Sequence, residues 1–427
     1  MNPALRAAYA TAGTLAEWAS SAARHHGGGK TMASLAGRRG VIERFARWGA
    51  AHRDPVRPLV WFHAPSVGEG LQARPVIELL RAHRPDVQVV YTHFSSSAVS
   101  FAARVGADYA DYLPFDTARA ARALVHALRP TALVFSKLDV WPVLVEEAAR
   151  AGVRVAMIAA TMAEGSGRRG MMARAFLRDA YAAIGAIGAI DADDAERLVA
   201  LGVNQAHVRV TGDTRYDQVW ARAAGVDRDS GLLAPLASAR PTLVAGSTWP
   251  ADETVLAEAW RGLRARVPTA RLIIAPHEPT PTHVNAIQGW AARESLPAAR
   301  LGAHDVGSAE VVIVDRVGVL GDLYALADVA YVGGGFHAAG LHSVIEPAAF
   351  GAPVLFGPRC VGSRDAGLLM AARGGRAVPD ARALQSSLIE WFSNAAARSA
   401  AGQRARALVQ GGTGAAERSY EMVVEML

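Results

Sequence analysis

Cysteine is nearly absent, since the 427 residues contain only Cys360. A single thiol can form neither an internal disulfide nor a multi-cysteine zinc or iron–sulfur site, which excludes the protein classes built on them. No uncharged stretch reaches the roughly 18 consecutive apolar residues that cross a membrane, and no secretory signal pattern opens the chain. We therefore expect a protein of the reducing cytoplasm and do not expect a transmembrane enzyme.

Clusters of metal-binding residues are also missing. The thirteen histidines show neither H-x-x-x-H spacing nor a Cys/His cluster, so we predict no bound metal and no cofactor. Hydrophobic residues are abundant, at 51%, and 20% of the residues are charged, which excludes disorder as the main state. At about 150 residues per domain, the length predicts two or three domains.

Positive charge is concentrated at the N-terminus. The net charge of +6 comes from residues 1–57, because basic and acidic side chains balance in residues 58–427. A basic stripe along the fold is absent, so we predict no nucleic-acid partner. We interpret 1–57 as a basic arm that attracts anionic lipid or phosphorylated substrate, and a merely solvated leader is the alternative. Its basic residues are Arg6, Arg24, Lys30, Arg38, Arg39, Arg44, Arg47, Arg53 and Arg57.

From Leu59 onward, short apolar runs alternate with helical segments, which is the βαβ pattern of a parallel sheet. Gly152 and Gly202 stand just past two of the helical segments, where helices commonly end. The predicted strands are 59–64, 87–93, 131–135, 153–159, 183–190 and 208–210. The predicted helices are 71–84, 117–128, 140–151 and 193–201.

A second βα series follows a stretch without periodicity, and it predicts strands at 242–245, 271–275, 311–314, 329–332 and 353–356. The tail indicates two helices separated by Gly411 and Gly412. We thus predict an α/β fold of two doubly wound domains, in which ligands bind at the carboxyl ends of the strands. The predicted ranges are 58–225 and 242–394 for the domains, 226–241 for the linker and 395–427 for the C-terminal helices.

Glu69 is the first candidate for chemistry. The segment Val60–Gly70 predicts a buried strand, a turn of small residues and a helix, with Glu69 in or just before the first helical turn. A helix N-terminus stabilises a carboxylate by roughly 0.3 to 1 kcal/mol, which keeps it ionised for general base catalysis. Simple capping of the helix is the commoner explanation for a lone glutamate at this position, so the motif needs support from elsewhere.

The segment Gly246–Glu253 also follows a strand. Pro250 suits a first helical turn, whose free N–H groups can bind an anion such as phosphate. Asp252 and Glu253 equally suit plain capping of that helix. Both interpretations stay open.

Tyr331–Pro347 contains the most specific motif, a strand followed by three glycines and a polar turn into a helix. Glycine-rich loops after strands approach nucleotides closely, although this one does not match G-x-G-x-x-G. Ser343 and Glu346 also form an S-x-x-E pattern, which predicts a capping box. Ligand binding and capping are therefore both possible for Glu346.

In combination, these motifs resemble the 3-deoxy-D-manno-octulosonic acid (Kdo) transferases, which decorate lipid A. The resemblance extends from about Ala36 to about Gly375, and its motifs stand in the same order as in the family. They are WFHAPSVGE at 61–69, RPVIE at 74–78, LPFDT at 113–117, GDTRYD at 212–217, GSTWPADE at 246–253, APHEP at 275–279, LGDLY at 320–324 and the stretch 333–347.

The resemblance implies a GT-B fold, in which an acceptor-binding and a nucleotide-sugar-binding Rossmann-like domain face each other across a cleft. It implies inverting transfer of Kdo from CMP-Kdo to a lipid A precursor, lipid IVA, in lipopolysaccharide biosynthesis. Glu69 would be the general base, and CMP would leave as a stable anion without a metal. Acceptor binding is implied for Ser66, Gly68 and Lys137. Donor binding is implied for Ser247, Thr248, His277, Gly333, Gly334, Gly335, His342, Ser343 and Glu346.

The chain departs from the family pattern at three places. Lys137 replaces the first carboxylate of an E-x-E-L-W-P motif, which we interpret as membership of a branch, and Asp139 would then do the work of the remaining carboxylate as a second catalytic residue. Pro276 begins a P-H-E-P-T sequence where many members have R-H-P-E-R. Ser343 replaces a common asparagine.

The N-terminus differs from the apolar anchor usual in the family. Ala4–Ala22 predicts an alanine-rich helix with only four large apolar side chains. Stable membrane binding usually needs more than one attractive interaction, and the basic residues after this helix can supply the second through anionic lipid. We predict a peripheral protein on the anionic cytoplasmic face of the inner membrane. Alternatives are a GT-B enzyme or epimerase using a UDP-sugar, a non-catalytic relative that binds lipid or nucleotide, and a small-ligand binding protein.

Overall fold

The computed structural model describes residues 3–22, 30–163 and 165–427. The chain forms two compact units. The first extends to Gln218 and includes Thr413–Leu427, and the second is Val219–Gly412. Each unit contains a seven-stranded parallel sheet with helices on its faces, so the predicted pair of doubly wound α/β domains is confirmed.

In the first unit the strand order is β3-β2-β1-β4-β5-β6-β7. The strands are β1 Leu59–His63, β2 Gln88–His93, β3 Tyr109–Tyr112, β4 Ala132–Ser136, β5 Arg154–Ala160, β6 Ala186–Ala189 and β7 Val208–Val210. The helices before the second sheet are α1 Pro3–Ala22, α2 Lys30–Gly37, α3 Val41–His52, α4 Val67–His83, α5 Val99–Ala102, α6 Ala118–Leu128, α7 Pro142–Arg150, α8 Met171–Ala182, α9 Ala192–Val199 and α10 Thr214–Gly225.

In the second unit the strand order is β10-β11-β9-β8-β12-β13-β14. The strands are β8 Thr242–Thr248, β9 Arg271–Pro276, β10 Ala298–Arg300, β11 Val311–Ile313, β12 Val329–Val332, β13 Val354–Phe356 and β14 Gly375–Ala377. The helices are α11 Pro250–Arg264, α12 Pro281–Arg293, α13 Leu320–Leu323, α14 Ile345–Ala349, α15 Arg364–Ala371, α16 Ala381–Ser393 and α17 Ala395–Gly411, after which α18 Ala415–Val424 returns to the first unit.

The central strands of each sheet could be predicted from the sequence because they are continuous apolar runs. All residues of β1, β4 and β9 are buried, because helices cover both faces of each sheet. The sequence analysis missed β3, β10 and β14, which all lie at sheet edges. These strands are short and partly exposed, so they need no continuous apolar run.

The chain divides at other places than the predicted ranges. Residues 226–241 lie within the second unit, where Leu233 and Leu236 are buried in the core. The tail does form two helices, but they belong to different units. Asp217 holds the start of α18, because its carboxylate accepts hydrogen bonds from the N–H groups of Gly414 and Ala416 at 2.6 and 2.9 Å.

The N-terminal arm packs on the first unit and is no solvated leader. The Arg6 guanidinium lies 2.7 Å from the Glu146 carboxylate, and Arg44 forms a bidentate pair with Asp111 at 2.6 and 2.8 Å. Arg24 lies outside the described residues. None of the helices described in residues 3–22, 30–163 and 165–427 has the length and hydropathy needed to cross a membrane.

Candidate active site

Glu69 lies at the start of α4, just beyond the carboxyl end of β1. Ser66 is the N-cap in extended conformation, and its Oγ accepts a hydrogen bond from the Gly68 N–H at 3.2 Å. The predicted position of Glu69 in the first helical turn is confirmed. Ser66 and Gly68, predicted to bind acceptor, here shape the turn that presents Glu69.

The Glu69 carboxylate is held ionised by two neighbours. Ser66 Oγ donates a hydrogen bond to its Oε2, and Lys137 Nζ lies 3.5 Å from its Oε1. Burial alone would raise the pKa of Glu69, but the bond from Ser66 and the charge of Lys137 outweigh it, so that this pKa lies below its usual value. With 18% of its side chain exposed, Glu69 can still reach a bound hydroxyl.

Lys137 is positioned by the carboxyl end of β4. Its φ of 66° lies in the left-handed region, which is uncommon for a residue with a side chain and is found at functional sites. The preceding Ser136 donates from Oγ to the Glu69 carbonyl at 2.8 Å, so β4 and the start of α4 are fastened together. The lysine therefore serves the carboxylate directly.

Asp139 has a different partner from Glu69. Arg168 donates from Nη2 to its Oδ1 at 3.0 Å. Burial raises the pKa of Asp139, and the nearby Glu69 charge adds to this rise, while Arg168 and Lys137 oppose it. Arg168 was not predicted from the sequence, because it lies in a short 3-10 helix, Gly167–Arg169, whose position depends on the fold. The site thus contains two carboxylates and two cations.

An aromatic wall borders these charges. Trp141 donates from Nε1 to His63 Nε2 at 2.9 Å and stacks on Phe94 with ring centroids 4.9 Å apart. Burial lowers the pKa of His63 to about 3, so its imidazole is neutral and accepts this bond. His63 therefore orients Trp141 and does not serve as an acid or base.

In the second unit, Asp252 fastens the start of α11 to the glycine loop after β12. Its fully buried carboxylate accepts hydrogen bonds from the N–H groups of Trp249, Gly334 and Phe336 and from the Tyr331 hydroxyl, at 2.8 to 3.2 Å. Capping by Asp252 is thus confirmed, and the same side chain shapes the predicted donor loop. The sequence did not reveal this second contact.

Four aromatic rings cluster at the carboxyl ends of β8 and β9. Trp249 stacks on His337 and on His277, with centroids 4.2 and 4.8 Å apart, and donates from Nε1 to His342 Nε2 at 3.1 Å. Burial and the neighbouring His277 lower the pKa of His342. The cluster joins the predicted residues His277 and His342, and it adds Trp249 and His337, which the prediction lacked.

The three glycines are required by close packing. A Cβ on Gly333 would overlap the Ser247 carbonyl, and one on Gly335 would overlap the Gly357 backbone. Gly334 has a φ of 92°, which favours glycine. Ser247 itself has a left-handed φ of 54°, and the neighbouring Thr248 donates from Oγ1 to Glu253 at 2.8 Å.

The predicted capping box at Ser343 is wrong. Helix α14 begins at Ile345, and its N-cap is Val344, without a side-chain hydrogen bond. The N-cap stands one residue after Ser343, so Glu346 does not lie three residues after the cap as a capping box requires. Glu346 lies in the first turn of this short helix. Among the described residues, no group of three or more His, Cys, Asp or Glu side chains could hold a metal ion.

The architecture of each unit and the polar residues after its strands define the class. Two seven-stranded parallel α/β domains form the GT-B fold of glycosyltransferases. UDP-GlcNAc 2-epimerase from Neisseria meningitidis bound to UDP-GlcNAc is similar in fold, with a TM-score of 0.64 at 16% identity, over 86% of this chain and 100% of that one.

Sequence comparison finds similarity to one family of transferases. The family described as 3-Deoxy-D-manno-octulosonic-acid transferase (kdotransferase) matches residues 39–218. A 3-deoxy-D-manno-octulosonic acid transferase of Bordetella pertussis is 29% identical over 90% of this chain and 91% of its own. One of Haemophilus influenzae is 24% identical over 75% of each chain. Over residues 39–218 the chain is similar to this family, and over most of its length it is similar to these transferases.

Proposed function

We propose that the protein transfers Kdo from CMP-Kdo to a lipid A precursor, lipid IVA, with inversion at the anomeric carbon. The similarity of the chain to Kdo transferases of other bacteria supports Kdo as the transferred sugar. The observation that carries the proposal is the ionised Glu69 between Ser66 and Lys137 at the end of β1. The proposal assigns the first unit to the acceptor and the second to the donor.

Glu69 acts as the general base in this proposal. Its Oε2 takes the proton of an acceptor hydroxyl as the oxygen forms a bond to the anomeric carbon of Kdo. The bond from that carbon to the phosphate oxygen of CMP breaks at the same time, and CMP keeps the electron pair. Positioned general base catalysis of this kind contributes roughly two to four orders of magnitude in rate.

Lys137 and Asp139 support this step in different ways. Lys137 keeps Glu69 ionised before the hydroxyl arrives, because their charges attract each other at 3.5 Å. Asp139 is bound by Arg168, so we assign it to holding this cation beside the acceptor. The predicted second catalytic residue therefore becomes a positioning residue in the proposal.

The donor binds to the loops of the second unit in this proposal. Ser247, Thr248 and the turn 333–335 form its wall, while His277 and His342 offer ring N–H groups to an anionic donor. Glu346 is the candidate partner for the ribose hydroxyls, and Ser343 lies beside His342 in the same turn. Asp252 keeps this wall in shape through its contacts with Gly334 and Phe336.

The protein acts at the cytoplasmic face of the inner membrane in this proposal. The two charged residues of α1 face inward, since Arg6 pairs with Glu146 and Glu17 pairs with Arg119. On its outer face Leu15 is 62% and Trp18 72% exposed. An uncharged helix face with exposed Leu and Trp is suited to the headgroup boundary of a bilayer.

The test is transfer from CMP-Kdo, generated in situ, to tetraacyl lipid A precursor, with the product measured by mass spectrometry. We expect product from the wild type and a loss of roughly two to four orders of magnitude in kcat for E69Q. E78Q is the matched control, because Glu78 lies on the same helix, is 58% exposed and pairs only with Arg74 at the surface. Equal activity of E69Q and wild type would refute the assigned base.

Donor identity is tested separately by thermal unfolding with CMP or UDP. We expect CMP to raise the unfolding temperature and UDP to have little effect, since binding to the native state alone stabilises it. Protection by UDP alone would move the donor to the UDP-sugars. CMP protection without any product would leave a relative that binds nucleotide and transfers nothing.

A further inference from the structure

Arg38 is a buried cation without an acidic partner. It is 4% exposed, and its guanidinium lies 3.6 Å from the centroid of the Phe94 ring. Its N–H groups donate to the carbonyl oxygens of Leu113, Phe94 and Ser34 at 3.0, 2.6 and 2.7 Å. In the described part of the chain it forms no ion pair, so its charge is balanced by these carbonyl oxygens, the Ser34 hydroxyl at 2.7 Å and the rings of Phe94, Tyr112 and Phe115.

Burial of a charge without a counter-charge is costly, and the cost lowers the pKa of Arg38 to about 10. Arginine nevertheless stays protonated at neutral pH. A buried arginine can have a purely structural role, so the position of Arg38 has to be compared with that of a second buried arginine in the same unit. Arg53 provides the comparison, because it is 8% exposed and also donates mainly to carbonyl oxygens, including those of Leu128 and Arg129.

The two arginines lie at opposite ends of the strands of the first sheet. Arg53 binds at the amino ends of β1, β2 and β4, through the carbonyls of Arg57 and Arg129 and the side chain of Gln88, the first residue of β2. Arg38 binds Phe94 and Leu113, which follow β2 and β3 at their carboxyl ends. Ligands bind at the carboxyl edge in such sheets, and Glu69 lies there too.

Arg38 also borders a cavity of about 180 Å³. A water molecule occupies about 30 Å³ in the liquid, so the cavity has room for a phosphate group with a few waters. Arg39 and Arg119 line it as well, together with Glu17 and Glu43. Glu17 is already engaged by Arg119 and by the Thr117 hydroxyl, which leaves a surplus of positive charge.

The aromatic wall connects this cavity with the reaction site. Phe94 lies under Arg38 and stacks on Trp141, and its N–H donates to the Pro65 carbonyl at 2.9 Å. Pro65 directly precedes Ser66, the cap of the helix that presents Glu69. An acceptor that offers a hydroxyl to Glu69 can thus place a second polar group along the same edge.

We propose that the cavity beside Arg38 binds a phosphate group of the acceptor, with Arg39 and Arg119 at its rim. This inference rests on the proposed function, because it names the acceptor as a phosphorylated saccharide. The ligand chemistry is a phosphate ester, whose oxygens accept charge-assisted hydrogen bonds from arginine side chains. An anionic phospholipid headgroup offers the same chemistry and is the competing source.

Binding is tested first with inorganic phosphate, by ³¹P line broadening on the full chain saturated with CMP. We expect broadening by the wild type, about tenfold weaker phosphate binding in R38Q, and an unchanged affinity in R53Q, the buried arginine at the other edge. R119Q is the second variant, because Arg119 is 67% exposed and its removal spares the core. We expect about threefold weaker phosphate binding in R119Q.

Equal phosphate affinity in wild type, R38Q and R119Q overturns the proposal. If R38Q does not fold, the comparison of R119Q with wild type alone tests it.

Turnover then identifies the source of the phosphate. We expect the KM for the bisphosphorylated acceptor to rise about tenfold in R38Q with kcat within about twofold, and the KM for a dephosphorylated acceptor to be the same in both proteins. Sedimentation with phosphatidylglycerol vesicles should not change. A loss of vesicle binding with unchanged KM assigns the site to a lipid headgroup and overturns the proposal. Failure of the proposed function shows as no turnover in the wild type, while phosphate broadening remains measurable.

Discussion

Lys137 Nζ lies 3.5 Å from Glu69 Oε1, although the two residues are 68 positions apart in the chain. Both residues follow neighbouring strands, β1 and β4, whose parallel pairing brings their carboxyl ends together. A cation there favours the ionised form of Glu69, whereas an acid would disfavour it.

Replacement of Lys137 by methionine is expected to move the acid limb of the kcat/KM profile to higher pH. The pKa of Glu69 is lowered in the folded protein, and activity that needs its carboxylate is lost as pH falls through that pKa. Without the lysine charge the pKa rises, so activity falls earlier on acidification, by about tenfold per pH unit below the new pKa. K137R, which keeps the charge, is the control. An acid limb shared by wild type and K137M would contradict the assigned interaction.

Asp252 supports a second prediction, on stability. Its carboxylate accepts four hydrogen bonds while fully buried, so D252A leaves several buried donors unpaired. We expect a loss of about 3 kcal/mol or more in the unfolding free energy of the second unit. D380A is the matched control, since Asp380 caps α16 with one bond at the surface and should cost only about 1 kcal/mol. Urea unfolding measures both, and equal losses would refute the role of Asp252.

The parts of the fold set by local pattern were predictable from the sequence. Continuous apolar runs mark the central strands, and the position of Glu69 follows from a strand, a small-residue turn and a helix. Arg168 and His337 were not predictable, because their contacts with Asp139 and Trp249 join segments 29 and 88 residues apart. A short pattern such as S-x-x-E also cannot fix where α14 begins, since packing decides the first residue of so short a helix.

Asp116 leads to a prediction on the pH dependence of stability. Burial raises its pKa to about 6, although it accepts bonds from the N–H groups of Val143 and Leu144 and from the Tyr9 hydroxyl. A raised pKa means that the folded state prefers the protonated form, so this contribution is present at low pH and is lost as pH rises through about 6.

Wild type should therefore lose stability relative to D116N as pH rises from about 4 to about 6, by up to about 3 kcal/mol, with little further change above that. Urea unfolding at pH 4, 5, 6 and 7 measures the difference. Y9F is the companion variant, because the Tyr9 hydroxyl opposes the rise and its loss should move the transition to higher pH. A difference between wild type and D116N that is constant with pH would exclude titration of Asp116 in this range.

The outer face of α1 gives the last prediction, on membrane association. Leu15 and Trp18 are largely exposed on a helix whose two charged residues are both engaged by the first unit. Burial of such a side chain in an apolar phase is worth about 1.5 to 3 kcal/mol, so L15D/W18D should weaken partition onto phosphatidylglycerol vesicles by at least about tenfold. V317D/V361D is the control, because Val317 and Val361 are 77% and 97% exposed in the second unit and this variant adds the same two negative charges away from α1. If both variants sediment with vesicles like the wild type, α1 is not the element that contacts the bilayer, and the basic residues after it become the next to test, by raising the salt concentration.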